Sequence, residues 1–159
     1  MIFIVLGTQK FQLNRLLKLI DQYIDEKIIN EEVVAQIGNS TYEPKNYKFE
    51  RFMDKDTFDK HIAESDIMIT HSCVGTIISG LNASKPIIVF PRLKNYGEHV
   101  DDHQLDIANA FAKKNYVLAC FEDDNLCDLI EKARTQVFEK YVSQRKEIVS
   151  VIEKYLNTL

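Results

Sequence analysis

The chain has 159 residues, of which 45% are hydrophobic and 28% are charged, and its formal net charge is −4 at pH 7. This balance is typical of one globular domain, and it excludes an intrinsically disordered chain and a general nucleic-acid-binding protein. The three cysteines, Cys73, Cys120 and Cys127, are scattered along the chain, which indicates free thiols rather than a disulfide framework or a zinc site.

Apolar runs that predict β-strands alternate along the chain with amphipathic segments that predict helices. The predicted strands are IFIVL (2–6), EVVAQI (32–37), DIMIT (66–70), PIIVF (86–90) and YVLAC (116–120). The predicted helices cover residues 15–28, 54–64, 74–81 and 101–114, followed by a long helical segment at 125–156, as one helix or two. The less regular stretch 40–55 contains YKFERF, an alternating pattern that could add an edge strand.

Continuous apolar strands separated by helices are typical of a parallel sheet covered on both faces. We therefore predict an α/β fold with a doubly wound, Rossmann-like parallel sheet. The chain has no internal repeat and no linker rich in Pro, Gly or Ser, so residues 1–159 are predicted to form a single domain with a long helical C-terminal segment.

The loop after the first predicted strand, GTQKFQ, lies where a doubly wound sheet binds its ligands, beyond the carboxyl ends of the strands. Gly7 permits a tight exit from the strand, and Thr8 and Gln9 offer side-chain donors. The following helix would direct its N-terminus at the same space, which favours an anion. The loop matches neither a Walker A motif nor GxGxxG, and a plain turn with a capping Thr8 is the alternative.

The loop after the third predicted strand, THSCVGTIISG, would start a helix whose free N–H groups suit a diphosphate. Ser72 and Thr76 could cap this helix or bond phosphate oxygens beside Gly75. Cys73 could be a thiolate nucleophile, since a helix N-terminus lowers the pKa of a thiol, or a small buried residue. His71 could be a hydrogen-bonded structural residue, or it could contact a sugar or phosphate.

The stretch PRLKNYGEHVDDHQ (91–104) is long for a connection in a compact domain, which favours a function. His99 and His103 have the i, i+4 spacing of helix-borne metal ligands, but no HExxH pattern accompanies them, and we predict no metal site. The acidic pair before His103 is predicted to cap the next helix. Gln104 could bond the hydroxyl groups of a polar ligand.

Two stretches, DIMITHSCVGTIISGLNASKPIIVFPR and DDHQLDIANAFAKKNYVL, resemble the C-terminal half of GT-B glycosyltransferases of family 28. The resemblance covers nearly the whole chain. VLGTQKFQLNRLLKLID and YGEHVDDHQ are typical of the small catalytic subunits of two-part bacterial β-1,4-galactosyltransferases that make exopolysaccharide and capsule. The catalytic subunit of the dolichol-pathway UDP-GlcNAc transferase is a related protein.

The resemblance implies a UDP-sugar donor and no other cofactor. Its motifs carry the donor-binding role onto Gly7, Thr8, Gln9, His71, Ser72, Gly75, Thr76, Ser79, His103 and Gln104. Many relatives carry at the position of Ser79 a glutamate that contacts the ribose. In this chain, Ser79 itself or a backbone group would hold the ribose instead.

The resemblance also implies an inverting transfer of a hexose from the UDP-sugar to a lipid-diphosphate-linked saccharide in exopolysaccharide or capsule synthesis. Glu98, His99 or His103 could serve as the base, and so could a group from a partner. Because the chain has the length of one half of such an enzyme, a membrane-anchored partner subunit is expected to bind the acceptor. A non-catalytic nucleotide-binding or scaffold subunit is the alternative, and a hydrolase that uses Cys73 and His71 is a third.

The N-terminal stretch MIFIVLGTQ has neither a basic segment nor a small-residue cleavage site, and no apolar run in the chain reaches the roughly 18 residues of a membrane span. We expect a cytoplasmic protein that is held at the inner face of the cell membrane through its partner.

Overall fold

Six strands form one parallel sheet in the computed structural model, which describes residues 1–142. The strands are β1 (Ile2–Val5), β2 (Val33–Gln36), β3 (Lys48–Glu50), β4 (Ile67–Thr70), β5 (Ile87–Val89) and β6 (Leu118–Ala119). Their order across the sheet is β3-β2-β1-β4-β5-β6, and every neighbouring pair is parallel. This is the strand order of a Rossmann fold, so the predicted α/β doubly wound architecture is confirmed.

Five α-helices and one 3₁₀ turn lie between and after these strands in the described part of the chain. They are α1 (Asn14–Asp25), α2 (Lys55–Glu64), α3 (Val74–Asn82), α4 (His103–Lys113) and α5 (Leu126–Thr135), with the 3₁₀ turn at Lys94–Tyr96. None of these helices has the length and apolar character needed to cross a membrane. A hairpin turn can join only antiparallel strands, so consecutive strands here need longer connections, and each of these contains a helix except the one between β2 and β3.

The central strands of the sheet are buried on both faces, which explains why β1 and β5 are apolar at every position. Ile2 and Ile4 pack in one core cluster, together with side chains of α1 and α5. Phe3 and Val5 point the other way and pack in a second cluster, together with side chains of α2, α3 and α4. Successive side chains of a strand alternate between the two faces, so one short strand contributes to both cores.

The edge strand that the YKFERF pattern allowed is present as β3. Its residues pair in parallel with β2, from Lys48 opposite Val34 to Glu50 opposite Gln36. Lys48 and Glu50 are exposed and the Phe49 side chain between them is partly buried against the core. Charged side chains on an edge strand disfavour pairing with another chain.

Two helix ends differ from the sequence pattern. The first helix ends at Asp25 rather than at residue 28, because Lys27 has a φ of +60° and the backbone N–H groups of residues 28 and 29 both return to the Tyr23 carbonyl. The last described helix ends at Thr135, so the predicted segment 125–156 is not one continuous helix. Its portion beyond residue 142 lies outside the described residues.

Contacts with the turn after α4 explain why α5 stops. Gln136 has an extended backbone, and its side-chain amide donates to Asn115 Oδ1 at 2.8 Å. The Asn115 amide donates to the Val137 carbonyl at 3.0 Å, and the Glu139 N–H donates to the Asn115 carbonyl at 3.0 Å. These bonds lead the chain away from the helix axis and hold residues 136–139 against the α4–β6 turn.

Candidate functional site

The loops that follow β1, β2 and β4 meet at Gly7, at the carboxyl edge of the sheet. Gly7 and Gly38 have φ angles of +72° and +58°, a region that glycine tolerates and other residues rarely adopt. A Cβ on Gly38 would lie 2.4 Å from the Gly7 carbonyl oxygen, and a Cβ on Gly7 would lie 2.6 Å from His71 Nε2. The close approach of the three loops therefore requires glycine at both positions.

Thr8 and Gln9 lie exposed on the loop that Gly7 begins. The Asn39 side-chain amide donates to the Gln9 carbonyl at 2.9 Å, which joins this loop to the loop after β2. Helix α1 begins only at Asn14, and the preceding N–H of Leu13 donates to the Ser40 hydroxyl at 3.0 Å. Thr8 therefore does not cap α1, which corrects the alternative interpretation of this loop as a simple capped turn.

The side chain of Arg92, three residues after the end of β5, lies between these loops and is 1% exposed. Its Nη2 donates to the carbonyl oxygens of Leu6, at 2.9 Å, and Phe11, at 3.1 Å. Its Nη1 lies 3.0 Å from His71 Nδ1. Sequence analysis did not single out Arg92, although a basic residue at the carboxyl end of a buried strand is a signal that could have identified it.

His71 is 3% exposed and neutral at physiological pH. Burial, followed by the charges of Arg92 and His99, lowers its pKa to about 3. The Arg92 guanidinium can only donate, so His71 Nδ1 accepts and the ring hydrogen is on Nε2. This Nε2 is buried and has no hydrogen-bond partner among the described residues.

Gln104 is buried, and its amide joins the loops after β4 and β5 to helix α4. Its Oε1 accepts from the backbone N–H of Arg92 at 2.9 Å and from that of Ser72 at 3.4 Å. Its Nε2 lies 3.4 Å from His71 Nδ1. The Gln104 side chain, which is predicted to bind the donor, therefore faces inward and is bonded to residues of the protein.

The N-terminus of α3 opens toward solvent at Gly75, where a Cβ would find no atom within 4 Å. Cys73 occupies the N-cap position, and no side chain caps the helix. Ser72 is buried and its hydroxyl has no partner among the described residues, while Thr76 is partly buried on the first turn. The first N–H groups of α3 are thus left for an external acceptor, as an anion site requires.

Ser79 lies one turn further along α3. Its hydroxyl donates to the Gly75 carbonyl at 3.0 Å, a bond within its own helix. A serine hydroxyl that bonds back four residues is directed along the helix and away from other partners. The one hydroxyl at this position is therefore already bonded within the protein.

The three residues considered as a base differ in their surroundings. Glu98 is 1% exposed, and its oxygens accept from Arg15 Nε and Nη2, each at 3.0 Å, and from the Leu93 N–H at 2.9 Å. Both oxygens are therefore occupied by the protein. His99 Nδ1 lies 3.1 Å from Asp101 Oδ1, and its ring contacts that of Phe11 at a tilt of 40°, with centroids 4.7 Å apart.

His103 is the first residue of α4, and its Nδ1 lies 3.6 Å from Asp106 Oδ2. Its backbone N–H donates to Asp101 Oδ1 at 3.0 Å, so the first of the two predicted acidic residues helps to satisfy the helix N-terminus. Asp102 instead accepts from the Lys94 N–H at 2.9 Å. Within residues 1–142 no group of three or more His, Cys, Asp or Glu side chains could hold a metal ion.

Comparison with known proteins decides the family. Residues 1–155 match the model of the glycosyltransferase family 28 C-terminal domain. The chain belongs to this family.

Two relatives from different organisms carry the same name as each other. The UDP-N-acetylglucosamine transferase subunit ALG13 of Mus musculus is 26% identical over 125 residues, which cover 74% of this chain and 10% of that protein. The protein of the same name from Candida albicans is 30% identical over 103 residues, which cover 65% of this chain and 33% of that protein. The family 28 chain thus spans a third or less of the length of these relatives.

Solved structures confirm the glycosyltransferase fold. An NMR solution structure of ALG13 matches 94% of this family 28 chain and 93% of its own, with a TM-score of 0.57 and 18% identity. A glycotransferase of kitacinnamycin matches 99% of this chain and 40% of its own, with a TM-score of 0.56 and 13% identity. SnogD from Streptomyces nogalater matches 98% and 39%, with a TM-score of 0.54 and 16% identity.

Proposed function

We propose that this family 28 chain is the donor-binding, catalytic-side subunit of a UDP-sugar glycosyltransferase. The observation that carries the proposal is the uncapped N-terminus of α3, which opens at Gly75 on the carboxyl edge of the sheet. A helix N-terminus presents unsatisfied N–H groups and a partial positive charge, and both favour a diphosphate. The relatives named as UDP-N-acetylglucosamine transferase subunits support a UDP-sugar as the ligand.

The proposed reaction is an inverting displacement at the anomeric carbon of the donor sugar. The acceptor oxygen forms a bond to this carbon, the bond to the diphosphate oxygen breaks, and UDP leaves with the electron pair. The N-terminus of α3 stabilises the charge that develops on the departing diphosphate. The acceptor proton passes to a base, which is His99, His103 or a group of the partner, because Glu98 is bound on both oxygens by Arg15 and Leu93.

A partner subunit is part of the proposal. The relatives are named as subunits of a UDP-N-acetylglucosamine transferase, which supports the presence of a second subunit. The partner would supply the acceptor site in a heterodimer and attach the complex to the inner face of the cell membrane, with the chain itself in the cytoplasm. The motifs GTQKFQ and YGEHVDDHQ favour a lipid-diphosphate-linked acceptor and β-1,4-galactosyl transfer in exopolysaccharide or capsule synthesis.

A thiol hydrolase built on Cys73 and His71 is disfavoured by the state of the histidine. The pKa of His71 is lowered to about 3, and its Nδ1 already accepts from Arg92. Such an imidazole is a poor acceptor for a thiol proton at neutral pH. Cys73→Ser is therefore expected to leave UDP binding intact.

Isothermal titration with UDP tests the donor site. The native chain should bind UDP, and Gly75→Val, which places two methyl groups beside the first N–H groups of α3, should weaken binding at least about tenfold. Ala63→Val, on an exposed position of α2, is the matched control and should leave the affinity unchanged. Equal affinities of native chain and Gly75→Val would show that the diphosphate lies elsewhere.

Transfer assays separate a catalytic subunit from a scaffold. The chain and its co-encoded partner are incubated together and separately with labelled UDP-galactose or UDP-N-acetylglucosamine and a lipid-linked acceptor. Transfer should require both proteins. If the pair binds UDP but moves no sugar from any UDP donor, the chain is a non-catalytic nucleotide-binding subunit instead.

A further inference from the structure

Arg92 is a buried cation whose partners are all neutral. Its guanidinium contacts two backbone carbonyls and the His71 ring, and it makes no salt bridge with any described residue. Glu98 and Cys73 are the acidic groups that face it, while burial lowers its pKa to about 10, so it stays charged at neutral pH. A buried charge whose direct partners are all neutral is costly to the fold, which favours a role in ligand binding.

His71 transmits the influence of this charge to the edge of the sheet. The groups that face its ring are Arg92 and His99, which both lower its pKa, and the neutral amide of Gln104. The guanidinium donates to Nδ1, so the ring carries its hydrogen on Nε2. The position of the ring hydrogen is thus determined by a residue on a different loop.

The hydrogen on Nε2 has no acceptor. The atom is buried and unpartnered among residues 1–142, and it lies against Gly7, where the loops after β1, β2 and β4 meet. A buried N–H without a partner destabilises a folded protein, and native structures rarely retain one without a reason. The adjoining residues Thr8 and Gln9 are exposed, so this N–H lies beside a loop that reaches solvent.

We propose that Arg92 is a positioning residue that fixes the ring hydrogen of His71 on Nε2 and makes this N–H a charge-assisted donor to an anionic ligand group. The guanidinium withdraws electron density through the ring, so the N–H donates more strongly than in an isolated imidazole. The inference rests on the proposed function only in taking the ligand to be a UDP-sugar, whose diphosphate supplies the anion.

The state of the ring can be measured without any ligand. Nitrogen-15 NMR of labelled histidine distinguishes Nδ1–H, Nε2–H and imidazolium forms, and His71→Leu assigns the signal among the four histidines. We expect only the Nε2–H form between about pH 5 and 8, whereas an ordinary histidine titrates near 6.5. A His71 signal that titrates in this range, or that shows hydrogen on Nδ1, would overturn the proposal.

Affinity for UDP-galactose tests the link between the two residues. Arg92→Met should weaken binding about tenfold, in line with loss of a charge-assisted hydrogen bond, and affect uridine much less. In a His71→Leu background the same change should cost less than about threefold, because Arg92 acts through the ring. Equal losses in the two backgrounds would mean that Arg92 acts on the ligand independently of His71.

Two further variants distinguish a specific effect of Arg92 from a general folding defect. Arg51→Met removes another guanidinium that bonds two loop carbonyls, those of Gly38 at 3.3 Å and Ser40 at 2.8 Å, and should leave the His71 signal unchanged. Arg92→Lys retains the charge but not the forked donor and should bind UDP-galactose between the native chain and Arg92→Met. If the native chain binds no UDP-galactose, the proposed function fails, while the NMR result still decides the pairing of Arg92 and His71.

Discussion

Arg15 and Glu98 form a two-point ion pair that joins α1 to the loop after β5. Arg15 Nε and Nη2 each lie 3.0 Å from one oxygen of Glu98. The guanidinium also packs against the rings of Phe90 and Tyr96, with centroid distances of 4.4 Å and 4.8 Å. A bidentate geometry with stacking requires arginine, because lysine offers only a point charge.

Arg15→Met should therefore lower the free energy of unfolding by about 3–5 kcal/mol, since it leaves the buried Glu98 carboxylate without its cation. Urea denaturation followed by circular dichroism measures the change. Glu43→Gln breaks the Arg51–Glu43 pair, whose side chains are 44% and 65% exposed, and should cost less than about 1 kcal/mol. Similar losses for both variants would contradict the structural importance of the buried pair.

Gly38→Ala should destabilise the protein more than Gly97→Ala. Both glycines have a left-handed φ, +58° and +67°, so both substitutions carry a backbone strain of about 1–2 kcal/mol. Only at Gly38 would the new Cβ also lie 2.4 Å from the Gly7 carbonyl oxygen, whereas at Gly97 it would meet no atom within 4 Å. The difference between the two unfolding free energies isolates the steric term, and equal values would show that the loops can separate freely.

Ser79→Ala should change the affinity for UDP less than about twofold, because the Ser79 hydroxyl is bonded to the Gly75 carbonyl. Ser79→Glu supplies a carboxylate in place of the hydroxyl and should strengthen UDP binding about tenfold through the ribose hydroxyls. Titration with 2′-deoxy-UDP is the control, since the gain should shrink there. A marked loss of affinity in Ser79→Ala would show that the serine itself holds the ribose.

The burial of neutral His71 predicts a loss of stability in acid. Its pKa is about 3 in the folded chain and about 6.5 in the unfolded chain, so the unfolded state takes up the proton first as the pH falls. The contribution is fully present above about pH 6.5 and declines by about 1.4 kcal/mol per pH unit below it, down to about pH 3. Unfolding free energies at several pH values should fall less steeply for His71→Leu than for the native chain.

The sheet could be predicted well because its strands are short apolar runs that are buried on both faces. The site could be predicted only in outline. Ligands of a doubly wound sheet bind beyond the carboxyl ends of its strands, and this rule was enough to predict Gly7, His71 and Gly75 as site residues. The inward direction of Gln104 and Arg92 depends on contacts between distant loops, and no local pattern carries that information.

The end of α5 was unpredictable for a related reason. Residues 136–142, QVFEKYV, contain neither Gly nor Pro and continue a helical pattern. The structure instead ties Gln136 and Val137 to the Asn115 side chain on the α4–β6 turn. Tertiary contacts override a local preference of this size.

The position of β1 in the sheet has a consequence for biosynthesis. Ile2 pairs with Val33 on one side and with Ile67 on the other, so β1, which precedes the other five strands along the chain, lies inside the sheet with a neighbour on each side. A ribosome adds about 5–20 residues per second. Until β2 and β4 have been synthesised, the apolar side chains and backbone hydrogen-bonding groups of β1 remain exposed. Slow translation of residues 1–70 would lengthen the time for which β1 is unpaired. The nascent chain would then depend most on chaperones that shield unpaired strands.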